Sequence, residues 1–215
     1  MPAVFWYNGE TMQTSLFEIG IPPKKDLYLF FDTETTGLPQ SWSAPVEDTD
    51  NWPRLVQLAW VMYDEEGTRA GAGDAIIKPE GFIIPADASR VHGITTERAL
   101  EEGVSLRQVL EMFRDKIGES SYVVAHNIDF DEKIIGAEFI RAKISHEFSK
   151  KKKICTMKST VNFCAIPSAR GFKWPQLAEL HRKLFGIAFE DAHNAAADIE
   201  ATAKCFWELK KRGIL

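Results

Sequence analysis

The segment Phe31-Asp32-Thr33-Glu34-Thr35-Thr36-Gly37 closes a short apolar and aromatic run, Leu27-Tyr28-Leu29-Phe30-Phe31, that reads as a buried strand. Side chains two apart on a strand share a face, so Asp32 and Glu34 stand side by side at its exit. Neighbouring carboxylates repel each other unless a cation joins them, and a divalent metal ion is the simplest such cation. The Asp-x-Glu spacing alone means little, because it recurs as Asp64/Glu66 and Asp198/Glu200. Asp64 and Glu66 fall in a turn-like, solvated stretch, whereas Asp32 and Glu34 follow a buried strand, where polar residues usually have a reason. A second segment, Val123-Val124-Ala125-His126-Asn127-Ile128-Asp129-Phe130-Asp131, again leads from a short apolar strand into a helix. Asp129 or Asp131 fits either a helix cap or a ligand role. The third segment is Asp191-Ala192-His193-Asn194-Ala195-Ala196-Ala197-Asp198. Residues five apart do not share a face of an ideal helix, so His193 belongs before the helix or in its first turn, with Asp198 inside it. A single histidine at a helix start is more often structural than catalytic.

The elements that must position these groups follow from periodicity. Residues 1–25 read as an N-terminal extension ending in Pro22-Pro23-Lys24-Lys25, and residues 26–215 as one domain. A polar loop rich in proline and tryptophan spans about residues 37–53. Leu55 to Tyr63 reads as a second strand and Ala75 to Lys78 as the end of a third, a three-stranded meander. Ser105 is placed to cap a helix, with Gln108 as its capping-box partner, and Leu106, Val109, Leu110, Phe113 and Ile117 follow at helical spacing. Tyr122 to Ala125 is a short strand. Helical patterns continue after Asp131, through Leu177, Leu180 and Leu184, and from about Asn194 to Lys211. Strands first, then a strand alternating with helices, give an α/β domain with a mixed sheet.

Composition bounds the function. The 215 residues, 45% hydrophobic and 27% charged, suit one folded domain. No apolar run is long enough to cross a bilayer, and the N-terminus lacks the features of a signal peptide, so a cytoplasmic protein is expected. Three cysteines without a CxxC argue against a disulfide framework or a zinc site. A net charge of −5 excludes a generally basic DNA-coating protein. It leaves open an enzyme that grips phosphates through metal ions held by carboxylates.

The three segments, in this order, resemble the exonuclease motifs of the DEDDh family of 3′–5′ exonucleases, which includes the proofreading epsilon subunit of bacterial DNA polymerase III. The matching residues are Phe31 to Leu38, then Ala125-His126-Asn127 with Phe130-Asp131, then His193 with Asp198. Val91-His92-Gly93-Ile94-Thr95 resembles a further recurrent segment. The resemblance covers roughly residues 26–210. It implies an RNase H-like fold, a five-stranded mixed β-sheet flanked by α-helices, and hydrolysis of single nucleotides from a 3′ end with two Mg2+ or Mn2+ ions. By the same resemblance, Asp32, Glu34 and Asp198 hold the first metal, Asp32 bridges to the second, Asp131 supports the second, and His193 is the general base. Two metals about 4 Å apart suit an in-line phosphodiester displacement. A histidine with an unperturbed pKa of about 6.5 suits proton abstraction near neutral pH.

Around this core the sequence leaves alternatives. Thr35 is a candidate substrate contact. Leu38 either wedges against a terminal base or packs on the core. His126 and Asn127 either touch the sugar or phosphate or hold the strand–helix junction. Phe130 stacks on a base or packs internally. Trp42 and Trp52 either stack on nucleotides or fasten their loop, and Lys150-Lys151-Lys152-Lys153 reads as a surface turn or a DNA-backbone contact. The leading function is degradation of single-stranded DNA 3′ ends in proofreading or repair. The alternatives are an exoribonuclease with the same chemistry and a catalytically dead binding module. With no polymerase domain, proofreading requires a DNA polymerase in trans.

Gln13-Thr14-Ser15-Leu16-Phe17 resembles the short peptide by which bacterial replication proteins bind the sliding clamp. Two adjacent apolar anchors and an orienting glutamine are the physical basis of such a peptide. The competing reading packs Leu16 and Phe17 onto the domain. Micromolar clamp binding by the intact chain, lost in Gln13→Ala/Leu16→Ala/Phe17→Ala, is the outcome expected of a tether; a clamp-binding assay in which the intact chain does not bind ends that reading.

Overall fold

The computed structural model describes residues 25–187 and 195–215. Gln13, Leu16, Phe17 and His193 lie outside the described residues, as does the proposed extension up to residue 24.

Leu29, Phe30 and Phe31 are buried in succession, so side chains on both faces of their strand need a covering layer. That strand is β1 (Leu27–Thr35). β2 (Leu55–Asp64) pairs antiparallel with β1, and β3 (Arg69–Ile76) antiparallel with β2, which is the expected meander. Helices α1 (Ala86–His92), α2 (Thr96–Glu102) and α3 (Leu106–Glu119) then lead to β4 (Tyr122–Ala125), parallel to β1. After α4 (Ile128–Ala142), β5 (Lys152–Cys155) joins in parallel beside β4. The order β3-β2-β1-β4-β5 is the five-stranded mixed sheet expected. Short helices α5 (Thr156–Ser159) and α6 (Val161–Cys164) and the hairpin β6 (Pro167–Ser168) and β7 (Gly171–Phe172) lead to α7 (Leu177–Phe185) and α8 (Ala195–Lys211).

The two faces of β1 are sorted by residue parity. Leu29 and Phe31 pack with Phe113 and Ile117 of α3 and Phe139 of α4. Tyr28 and Phe30 pack with Ile199, Ala203 and Phe206 of α8. The opposite side of α8 offers Cys205 and Leu209 to Leu180 and Leu184 of α7. Among the described residues no helix is long and apolar enough to cross a membrane.

Two local expectations are corrected. Ser105 precedes α3, but its side chain makes no cap bond, so the capping box with Gln108 does not form. Such a bond forms instead at α2, where the Arg98 amide donates to Thr95 Oγ1 at 3.2 Å. The lysine run is not a surface turn, because Lys152 and Lys153 open β5. Lys153 pairs with Glu132 at 2.6 Å, and Lys151 donates to the carbonyls of Gly118 and Ser120. Lysines on an edge strand discourage pairing with another chain.

The loop after β1 is tied to α4 by one carboxylate. Fully buried Glu138 accepts from Arg54 Nε at 2.8 Å and from the Leu55 amide at 3.0 Å, and pairs with Arg141 at 2.9 Å. Arg141 in turn donates to the carbonyls of Thr49 and Trp52. Val46 of the loop lies where a Cβ on Gly136 would come within 2.8 Å of it, so glycine permits this close approach. Glu138→Ala leaves two guanidinium groups without their counter-charge. It is expected to cost about 3–5 kcal/mol in chemical denaturation, with Glu138→Gln costing clearly less.

Candidate active site

β1 and β4 pair only from Tyr28–Tyr122 to Phe30–Val124. β4 stops at Ala125 while β1 continues to Thr35. A crevice therefore opens at the carboxyl ends of two parallel strands, beside the point where β1's other neighbour runs antiparallel, a favoured place for a site in an α/β sheet. The Thr33 amide lies beyond the paired stretch, and Asp131 of α4 takes its place as acceptor. Asp131 Oδ1 receives the Thr33 amide at 3.1 Å and the Thr33 hydroxyl at 2.7 Å.

The other face of β1 carries Asp32 and Glu34, as strand alternation requires. Packing of Phe206 and Ile199 against this face sets α8 so that Asp198, in its first turn, meets them. One oxygen from each of Asp32, Glu34 and Asp198 lies within 4.8 Å of the others. Asp131 approaches from the α4 side, so four carboxylates converge on the end of one strand.

Burial and the neighbouring carboxylates raise the proton affinities of Asp32, Glu34 and Asp131. Burial, and then the charges of Asp131, Asp198 and Glu34, hold Asp32 well above the usual carboxylate range. Burial, and then Asp198 and Asp131, push Glu34 up to about 8. Burial raises Asp131 to about 7, although its bonds from Thr33 favour the anion. Anionic hard oxygens this close, and this reluctant to ionise together, form a donor set suited to a divalent cation such as Mg2+ or Mn2+.

Asp129 is not a cap; it faces outward and pairs with Lys158. Asn127 holds the N-cap position of α4 at φ 75°, a left-handed conformation that asparagine tolerates, without a side-chain cap bond. His126 is held at both ring nitrogens. A carbonyl only accepts, so Nε2 donates to the Pro175 carbonyl at 3.0 Å, and Nδ1 accepts from the Thr156 hydroxyl at 2.9 Å. Burial lowers its pKa to about 4, so the ring is neutral near pH 7. The Thr35 hydroxyl donates to the Gly37 carbonyl at 2.7 Å. Leu38 does not pack on the core; it is 73% exposed in the loop that follows β1. Trp52 is buried and fastens its loop through Nε1 to the Pro45 carbonyl at 3.0 Å. Trp42 is exposed and leans on the ring of half-buried Phe130, with centroids 5.7 Å apart. Trp174, next to the Pro175 that His126 holds, is an exposed aromatic before a helix and has no periodic signal in the sequence. His193 lies outside the described residues.

A family model described as Exonuclease matches residues 29–206. The chain is 33% identical over 201 residues to a DNA polymerase III subunit epsilon-like protein of Rhodobacter capsulatus, covering 90% of this chain and 25% of that protein. It is 32% identical over 189 residues to a DNA polymerase III PolC-type of Listeria innocua, covering 86% of this chain and 11% of the relative. A 3′-5′ exonuclease DinG of Staphylococcus aureus is 34% identical over 108 residues, half of this chain and 11% of its own. The chain thus spans between a tenth and a quarter of these relatives. E. coli Exonuclease I in complex with a dT13 oligonucleotide superposes with a TM-score of 0.71 at 20% identity, over 87% of this chain and 42% of that one. The shared fold is the RNase H-like one.

Raised carboxylate pKa values make the metal-free protein pH-sensitive. Below about pH 4 these groups are protonated folded or unfolded and cost nothing. As pH rises, the unfolded chain releases its protons first, so stability falls until the folded groups ionise, for Asp131 near 7 and for Glu34 near 8. In EDTA, Tm is expected to fall between about pH 5 and pH 8. Asp32→Asn should raise Tm at pH 8 by several degrees, and Mn2+ should restore the wild type. Calorimetry across this range checks it; a Tm flat with pH and unmoved by Asp32→Asn contradicts the crowding.

Proposed function

The chain belongs to the exonuclease family as a 3′–5′ exonuclease domain, and from that premise we propose that it removes nucleoside 5′-monophosphates from the 3′ end of single-stranded DNA. The observation that carries this reading is the convergence of Asp32, Glu34 and Asp198 at the end of β1. When bound, two Mg2+ or Mn2+ ions would supply charge neutralisation of the phosphodiester and an acidified water. Asp32, Glu34 and Asp198 would hold the first ion, and Asp32 with Asp131 the second. Asp131 is kept in register by Thr33, whose amide and hydroxyl both bond to Oδ1.

The remaining steps fall to the chain's own side chains. Leu38, exposed in the loop that follows β1, packs against the terminal base and sets which phosphodiester enters. A ring nitrogen of His193 takes the proton of the attacking water, whose oxygen forms a bond to phosphorus as the bond to the leaving 3′ oxygen breaks. The leaving 3′ oxygen takes a proton from solvent, so a strand one nucleotide shorter with a free 3′-hydroxyl remains and the nucleoside 5′-monophosphate departs. The DNA substrate and a role in proofreading or repair draw support from the polymerase-related names of the relatives. The Gln13, Leu16 and Phe17 pattern makes a sliding clamp the partner that would raise local concentration near DNA, and a DNA polymerase in trans the partner for proofreading.

Timed digestion of matched 3′-labelled DNA and RNA oligonucleotides tests this reading. DNA shortened from its 3′ end in Mg2+, with mononucleotide product and no reaction in EDTA, is expected. Asp198→Ala should abolish turnover, and His193→Ala should lower it roughly 10²–10⁴-fold while leaving metal binding nearly unchanged. Faster digestion of RNA reassigns the substrate, and turnover in excess chelator overturns the metal assignment.

A further inference from the structure

Large indole surfaces left in water are unfavourable, and two of them facing one cavity need a reason. Trp42 is 59% exposed and Trp174 62% exposed. Together with Trp52, Asn127, Lys133 and Lys158 they line a cavity of about 650 Å³, a size typical of ligand sites. Its walls are linked to the crevice along the chain. Trp42 lies in the loop that leaves β1 just after Glu34, and Asn127 heads the helix that carries Asp131.

We propose that this groove is a stacking subsite for the bases of the strand upstream of the nucleotide being removed. The inference rests on the exonuclease reading. An enzyme that holds a 3′ terminus at its metal site must let the rest of the strand leave on the 5′ side. Aromatic faces stack on any base without regard to sequence, and ammonium groups follow the phosphates.

The ammonium groups of Lys133 and Lys158 stand among the indoles. Asp129 pairs with Lys158 and Glu132 with Lys153. Lys133, over the Trp52 ring at 5.7 Å, has no carboxylate within ion-pair distance among the described residues. The groove's own charges balance, Asp129 and Glu132 against Lys133 and Lys158, on a chain whose net charge is −5.

The two walls are also held in place before any ligand arrives. Trp42 rests on Phe130, and its loop is closed by the Ser41 amide on Asn51 Oδ1 at 2.7 Å and by Arg141 on the carbonyls of Thr49 and Trp52. Trp174 is fixed through its neighbour Pro175, whose carbonyl accepts from His126. The Gln176 amide, on Glu179 at 2.8 Å, anchors the segment to α7. Rigid aromatic walls lose little entropy on binding. His126 thus acts as a positioning residue: it joins the second motif to the far wall of the groove.

Equilibrium binding in EDTA separates this proposal from the nuclease reading, which digestion tests. Fluorescence anisotropy with 5′-labelled oligothymidylates of two and about twelve nucleotides measures the affinity gained with length. The wild-type chain should bind the longer strand more tightly. In Trp42→Ala/Trp174→Ala that gain should shrink about 5- to 100-fold, whereas Trp42→Phe/Trp174→Phe should keep most of it. Circular dichroism establishes that the variants are folded, and Trp42→Ala and Trp174→Ala singly give intermediate losses if both walls stack. A length gain retained in the folded double alanine variant, or absent from the wild type, overturns the proposal and leaves the groove to a protein ligand.

Discussion

Crowding of like charge at the end of one strand is the constraint on which the rest of the molecule depends. Asp32, Glu34 and Asp198 offer oxygens within 4.8 Å of one another, and Asp131 adds a fourth carboxylate from the opposite face. No arrangement of this kind is stable by its own contacts. It persists because apolar packing elsewhere over-determines the backbones that carry it: Phe30 against Phe206, with ring centroids 5.1 Å apart, fixes α8 on one face, and Phe31 against Phe113, at 5.5 Å, fixes α3 on the other. The site is thus a place where stability is given up, as at functional sites generally.

The second requirement is that the surroundings of the crevice do not drift. Long loops are ordinarily the mobile part of a domain. Here the loop after β1 is fastened to α4 by the Glu138–Arg141–Arg54 network, by Trp52 on Pro45 and by Val46 over Gly136. The segment before α7 is fastened by His126 and by Glu179. Polar groups from the motif segments therefore serve two purposes. Some meet at the crevice, and others, such as His126, tie distant loops to its rim. A histidine bonded at both nitrogens and kept neutral by burial is well suited to the second purpose, since its bonds do not change near neutral pH.

Charge distribution ties site and surface together. The carboxylates that suit the crevice to metal ions make the chain acidic, which weakens any general attraction to nucleic acid. Local features must then supply the hold on a strand. The groove between Trp42 and Trp174 adds exposed indoles and two lysines, offset by Asp129 and Glu132.

Whatever depends on near neighbours along the chain is legible in the residues alone. The buried run from Leu29 to Phe31 marked the central strand, strand alternation placed Asp32 and Glu34 on one face, and helical spacing located α3, α4, α7 and α8 to within a few residues. Motif order supplied the family and hence the sheet. What tertiary structure decided were choices between residues that look alike locally. Asp129 and Asp131 share the first turn of α4, and only the shortness of β4, which leaves the Thr33 amide to Asp131, separates ligand candidate from surface ion pair. Trp42 and Trp52 share a loop, and the Pro45 carbonyl within reach of Trp52 buries one while Phe130 props up the other. Ser105 looked like a cap and makes no cap bond. Trp174 meets Trp42 across a groove although most of the domain lies between them in sequence. In each case the deciding partner is remote along the chain, and the energy of a hydrogen bond or ring contact depends on where the fold puts that partner, which residue type and local spacing do not encode.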